Sequence, residues 1–226
     1  MNTLCIIKSA HRYADRRQLI RDTWLKGLPW DYQFILGLSV KEGTQIAEDV
    51  TSLRDVRLFP VSDAFQNIAP KLRAALEVGL NDYHKRYDYF FISDDDTFIH
   101  VPRLIKAAEE RELQNRDYIG WYRENGGHLY PLHYIQGNAY WLSRRAAEIV
   151  VASKEMVNAV PDDVAVGRAL NEKVWFFHDK RYFPGPNCWE QFPQPNNDTI
   201  SCHKVLSLDM KKLYEMWENW NAITNI

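Results

Sequence analysis

The chain has little of several things, and each scarcity removes a class of protein. Only 3 of its 226 residues are cysteine, too few and too odd in number for a disulfide framework to carry the fold. Cys188 and Cys202 could pair across an irregular loop, while Cys5 lies in an apolar run and reads as buried and reduced. No uninterrupted apolar stretch approaches ~18 residues, so no transmembrane helix is expected. No basic-then-apolar leader opens the chain either. The net charge is only −2, which offers no field for nucleic acid or an anionic membrane. Internal repeats and low-complexity linkers are also missing. One domain over residues 1–226 is the economical reading, with ample core.

Aromatics, by contrast, are dense, with 8 Trp and 12 Tyr; some belong to the core, but rings beside an open site also stack on sugars or bases. The most informative stretch is Tyr87–Val101. Its first half is a short apolar and aromatic run, the composition of a buried strand. Asp94, Asp95 and Asp96 follow at its carboxyl end. Three adjacent carboxylates repel one another, so a fold that gathers them usually supplies a counter-charge. A hard divalent cation is the simplest candidate. At the carboxyl edge of an α/β sheet it would sit where ligands bind.

The rest of the chain supports that setting. Leu4–Lys8 reads as a central strand, followed by a polar turn and a helix from about Ala14 to Trp24. That helix carries Arg16, Arg17 and Arg21, which suit a nucleotide diphosphate through bidentate contacts; a solvated helical face is the plain alternative. Strands are expected at Tyr32–Leu38 and Val56–Val61, the latter broken by Pro60, with a short helix at Gln45–Ser52 between them. Ile68, Leu72, Ala75, Leu76, Gly79 and Tyr83 mark a helical apolar face. Further elements are a helix over Val101–Arg111, a strand at Tyr118–Tyr122 and a strand-like run at Tyr134–Leu142 broken by Gly137. Ser143 is placed to cap a helix over Arg144–Ser153. Pro161-Asp162-Asp163 opens another helix, in which one aspartate acts as the N-cap. A strand at Trp175–His178, an irregular loop over Gly185–Asp198 and a final helix over Leu208–Trp220 complete the series. Alternating strands and helices predict a largely parallel sheet with helices on both faces.

Taken in order, these landmarks resemble the β-1,3-glycosyltransferases, the β-1,3-galactosyltransferase and Fringe group. The resemblance rests on Arg16-Arg17-x-x-Ile20-Arg21-x-Thr23-Trp24, Phe34-x-Leu36-Gly37, Asp63 with Asn67 and Lys71, and Asp94-Asp95-Asp96-x-Phe98. It continues through Tyr130-Pro131-x-x-Tyr134-x-x-Gly137-x-x-Tyr140, Asp162-Asp163-Val164-x-x-Gly167 and His203. It implies an α/β GT-A domain, a UDP-sugar donor, a glycan or glycoconjugate acceptor, Mn²⁺ (with Mg²⁺ as a substitute) and inversion at the anomeric carbon. By position, it assigns the metal to Asp94, Asp96 and His203 and the general base to Asp163. It assigns donor contacts to Ala10, Arg12, Arg16, Arg21, Lys71, Asp94 and Asp95. Asp162 is then left as the helix cap. The segment between Gly120 and Tyr130 is shorter than in most animal members, and the family's usual cysteines and N-terminal anchor are missing. The expected location is cytoplasmic for a complete chain, or the Golgi lumen for a soluble piece of an anchored enzyme.

That chemistry is self-consistent. A cation bridging two phosphates assists departure of the diphosphate, and a carboxylate on another element can take the acceptor hydroxyl's proton. One base and no enzyme nucleophile gives inversion. Two rival readings fit less well. A phosphatase-like hydrolase wants a small residue two positions after its second acid, where Phe98 stands here. A module that kept the fold and lost the chemistry had no need to keep both sets of acids.

Overall fold

A computed structural model describes residues 1–39, 54–110, 115–124, 133–157, 161–185, 198–205 and 207–224. The helix expected at Gln45–Ser52, most of the Gly185–Asp198 loop and Tyr130-Pro131 lie outside these residues.

Ten strands and six α-helices are assigned among the described residues. The first strand, β1 (Thr3–Lys8), is buried along its whole length, as its apolar sequence requires. A short 3₁₀ turn leads into α1 (Ala14–Asp22). Strands β2 (Asp31–Ser39) and β3 (Val56–Ser62) follow, then α2 (Ile68–Leu80). Pro60 does not break β3, because β3 is the outermost strand of its sheet and needs no donor on its free side. The apolar face of α2 holds Leu72, Ala75 and Leu76, all fully buried. Next come β4 (Tyr89–Asp94), the two-residue β5 (Phe98–Ile99) and α3 (Val101–Glu109).

The second half contains β6 (Tyr118–Arg123), β7 (Tyr134–Ser143) and α4 (Arg144–Ala152). The Ser143 side chain accepts from the Ala146 amide at 3.1 Å, the expected cap. Helix α5 (Asp162–Leu170) precedes the short strands β8 (Phe176–His178), β9 (Tyr182–Phe183) and β10 (Ser201–Cys202). Helix α6 (Ser207–Thr224) ends the described chain.

Seven strands form one sheet in the order β3-β2-β1-β4-β7-β6-β8. β3, β2, β1 and β4 are mutually parallel, β7 runs against β4 and β6, and β8 is parallel to β6. The expectation of a mainly parallel sheet flanked by helices holds. Two hydrophobic clusters cover its faces, one around Trp24, Phe91 and Trp141, the other around Leu72, Phe90 and Tyr140. Gly137 does not interrupt β7. A small second sheet, β5-β10-β9, brings the chain end back beside the acid triplet.

Candidate active site

Parallel strands end together, and this places the first two parts of the site. Lys8 at the end of β1 is the register partner of Asp94 at the end of β4. The small sheet supplies the third part: β10 pairs antiparallel with β5, directly after the acid triplet, and so delivers His203 beside it. β7 and the start of α5 supply the fourth. The result is a cleft of about 410 Å³, lined by Ala10, Arg12, Arg16, Lys71, Asp94–Asp96, Asp162, Asp163 and His203 among others.

Asp94, Asp96 and His203 each offer one ligand atom, and the three atoms lie within 4.8 Å of one another. His203 Nδ1 is 3.4 Å from Asp96 Oδ1 and 3.9 Å from Asp94 Oδ2, and it shares a 3.1 Å contact with Thr97 Oγ1. Two carboxylate oxygens and an imidazole nitrogen on one wall of the cleft fit Mn²⁺, with Mg²⁺ as a harder substitute.

The middle acid does something different. Asp95 is 5% exposed, accepts from Ser9 Oγ at 2.7 Å and from Arg16 at 3.0 Å. Burial raises its pKa to about 6 against the pull of those donors. Asp95 therefore holds the first loop to β4 and fixes Arg16, whose guanidinium also lies 3.9 Å over the Tyr13 ring and 3.7 Å from Asp96.

On the opposite wall, Gly137 is the meeting point. Its carbonyl accepts from Lys8 Nζ at 2.9 Å and its amide donates to Asp163 Oδ2 at 3.1 Å. A Cβ here would stand 3.2 Å from Lys8 Nζ and 3.3 Å from Asp163 Cβ, so any side chain would push these neighbours apart by a few tenths of an ångström. Burial first, and the neighbouring Asp162 second, raise the Asp163 pKa to about 6.

Two expectations are corrected. Asp162 is not a cap: Pro161 occupies that position, with no side-chain cap. Asp162 instead reaches Lys8 Nζ at 2.7 Å, and it is Asp163 Oδ1 that accepts the Val164 amide, at 2.8 Å. Arg21 is not among the residues lining the cleft. Its guanidinium makes a two-bond pair with Asp55, at 2.7 and 2.9 Å, and lies over Phe34. One turn earlier, buried Arg17 braces the loop after β1 by donating to Ser9 Oγ and the Ala10 carbonyl. Lys71 does line the cleft, but its Nζ is held by the Ser9 carbonyl at 2.6 Å and by Asp63 at 3.1 Å. Burial lowers its pKa, with Asp63 opposing.

Sequence reasoning passed over Lys8 and Lys204. Lys8 bridges Asp94 Oδ1 at 3.0 Å and Asp162 at 2.7 Å with only 2% of its side chain exposed. Burial would lower its pKa, but Asp162 and Asp94 overcome this and raise it. The available signal was a lysine closing an otherwise apolar central strand. Lys204, next to His203, has φ 57° and lines the cleft beside Arg12 and Arg16. A lysine held in the left-handed region is uncommon, and such strain concentrates at functional positions. Cys202, on the other side of His203, is disulfide-bonded, and Cys5 is free; Cys188 lies outside the described residues.

The galactosyltransferase family model matches residues 15–130, just over half of the chain. A mouse β-1,3-galactosyltransferase 6 is 27% identical over 93% of this chain and 72% of its own length. The nematode β-1,3-galactosyltransferase bre-5, from Caenorhabditis elegans, is 26% identical over 62% of this chain, which spans only 47% of that protein. Among solved structures, a glycosyltransferase involved in glycosylation of the major capsid of PBCV-1 superposes with a TM-score of 0.55. It covers 97% of this chain and all of that one at 12% identity, a likeness of fold alone. With a GT-A sheet, an acid triplet at its edge and a family match through β1's following helix to beyond β6, the chain belongs to the galactosyltransferase family of glycosyltransferases.

Proposed function

We propose that the chain moves a hexosyl group, galactose or an N-acetylhexosamine, from a UDP-sugar to a glycan or glycoconjugate hydroxyl. The linkage formed is β-1,3, the anomeric centre is inverted, and residues 1–226 act as one catalytic domain. One observation carries this reading: three side chains spaced to share one metal ion and a separate carboxylate face a single cleft from different elements. Asp94, Asp96 and His203 would hold Mn²⁺ or Mg²⁺, which supplies a Lewis acid for the departing diphosphate.

The chain's own residues supply the rest. Arg12, Arg16 and Lys204 bring positive charge to the metal side of the cleft, where it meets the donor's phosphates. Asp163 takes the proton from the acceptor hydroxyl as that oxygen attacks. A carboxylate of pKa about 6 is ionised at neutral pH yet basic enough to serve. Asn138 is 1% exposed, and its Oδ1 has no partner among the described residues, leaving it ready for a donor hydroxyl. The Cys202 disulfide supports an oxidising compartment such as the Golgi lumen over the cytoplasm.

The test is a panel of UDP-sugars with Mn²⁺, read by thermal shift and UDP release. UDP should stabilise the protein only with the metal present, and one UDP-sugar should release UDP faster when acceptor glycans are added. Stabilisation by UDP that ignores the metal, or no release from any donor, would overturn the proposal.

A further inference from the structure

A second cavity, of about 740 Å³, lies around the carboxyl end of α5 and is lined by Tyr122, His133, Asn171, Glu172, Trp175 and His178 among others. Its lining is chemically mixed. Trp175 is 87% exposed, and Tyr122 and His133 stack at 5.6 Å with their planes 15° apart. Asn171, Glu172 and His178 add hydrogen-bonding groups around these rings. Glu172 is one of only two non-glycine residues with positive φ among those described, at 60°. Flat aromatic faces ringed by amides, carboxylates and imidazoles match the alternating apolar faces and hydroxyl edges of a saccharide.

Three covalent or bonded paths join this cavity to the reaction cleft. His133, just before β7, lines the cavity while Gln136 and Gly137 on β7 line the cleft, three to four residues or about 10–13 Å apart in extended chain. Along α5, Asp163 faces the cleft and Asn171 the cavity, a helical rise of about 12 Å. On β6, Arg123 follows Tyr122 and donates to Gln136 Oε1 at 2.9 Å, closing the ridge between them. All three start at the wall of the cleft formed by Gln136, Gly137 and Asp163.

We infer that this cavity is a distal glycan subsite, holding the part of an oligosaccharide acceptor that lies beyond the sugar presented to Asp163. The inference rests on the transferase reading above. It gives the chain a preference for extended acceptors and assigns Trp175 as the principal stacking surface.

The experiment is a printed glycan array probed with the whole chain in UDP and Mn²⁺, followed by calorimetry on the glycans that bind and on their shortened forms. Trisaccharides and longer should bind, and mono- and disaccharide truncations should bind at least about tenfold more weakly. Trp175→Ala should lose roughly tenfold on the long glycans and Trp175→Phe much less, since a ring face remains. UDP affinity should not change in either variant. Three results would each overturn the subsite. These are no glycan bound, equal binding by Trp175→Ala, or a dimer that Trp175→Ala dissociates in light scattering, which would give the surface to a second copy. UDP titration separates the two readings: if donor binding fails while glycans still depend on Trp175, the transferase proposal falls and the glycan site remains.

Discussion

Lys8 and Asp94 are register partners on adjacent parallel strands, and Lys8 Nζ closes on Asp94 Oδ1 at 3.0 Å while also reaching Asp162 Oδ2 at 2.7 Å. This divides the oxygens of Asp94 between two tasks: Oδ1 faces the ammonium, and Oδ2 faces His203. The ammonium also links the end of β4 to the start of α5. Lys8→Met removes the only described cation on Asp162 and leaves two carboxylates in a poorly solvated space. Removing one partner of a buried ion pair costs about 3–5 kcal/mol, so the melting temperature should drop by roughly 6–20 °C for a chain of this size. A drop under about 2 °C would show that water replaces the lysine freely.

Asp96→Asn tests the metal triad. The variant should keep its fold, because Asp96 is only partly buried and its loss relieves repulsion. Mn²⁺-dependent UDP binding, followed by calorimetry, should fall at least about tenfold, the scale of one lost charge-assisted ligand interaction. Full transfer by this variant at saturating Mn²⁺ would remove Asp96 from the site.

The paired aspartates should separate cleanly. Asp163→Asn keeps a side chain able to accept the Val164 amide but removes the proton acceptor, so transfer should fall by roughly 10²–10⁴-fold with UDP binding unchanged. Asp162→Asn should act on stability instead, through Lys8, at a cost of about 1–3 kcal/mol. If Asp162→Asn melts normally and abolishes transfer, the two roles are reversed.

The two arginines of α1 should also differ. Arg16→Ala removes a guanidinium that lines the cleft, and UDP affinity should weaken by about 1.5–3 kcal/mol. Arg21→Ala should leave UDP affinity within about 0.5 kcal/mol, because its partner is Asp55. Its cost should appear in the melt. Equal loss of affinity in both would place Arg21 on the donor after all.

The pH profile follows from Asp163. Burial beside Asp162 sets its pKa at about 6, above the ordinary carboxylate value, and the base works only when ionised. Acceptor kcat/KM should thus be flat above that pH and fall towards tenfold per unit below it. A midpoint near 4 in the rate profile would mean that Asp163 is solvated like a surface acid.

Periodicity and composition made most of the elements legible. Apolar spacing located the helix that starts at Ile68, although it ends at Leu80 and leaves Tyr83 exposed, and the strand-then-acid pattern located the edge of the sheet at Asp94. What could not be read was the rotation of one helix against its surroundings. Arg16 and Arg21 share α1, yet one meets Asp95 and the other Asp55; that depends on where β2 and β3 leave Asp55, a tertiary fact. The adjacent Asp162 and Asp163 posed the same problem, since only the position of Lys8, 154 residues away, decides which carboxylate is occupied. Lys8 itself is visible as a charge in a buried strand, but its partners are distant in sequence and no local pattern names them.

That distance has a consequence during synthesis. Of the strands, β1 is made before the others and belongs at the middle of the sheet; its Lys8 meets Asp94 on a neighbouring strand, but the second carboxylate on that ammonium, Asp162, is made 154 residues later. At about 5–20 residues per second this is a wait of roughly 8–30 s. Until Asp94 is made, closing the sheet over β1 would bury an unpaired ammonium; after that, and until Asp162 is made, Lys8 Nζ still lacks its shorter contact, so a partial sheet should stay open to solvent at this edge. Arrested chains ending before Pro161 should accordingly be cut quickly by protease, and those extending past His203 should resist. The contact that completes the surroundings of β1's last residue thus comes from α5, not from a neighbouring strand.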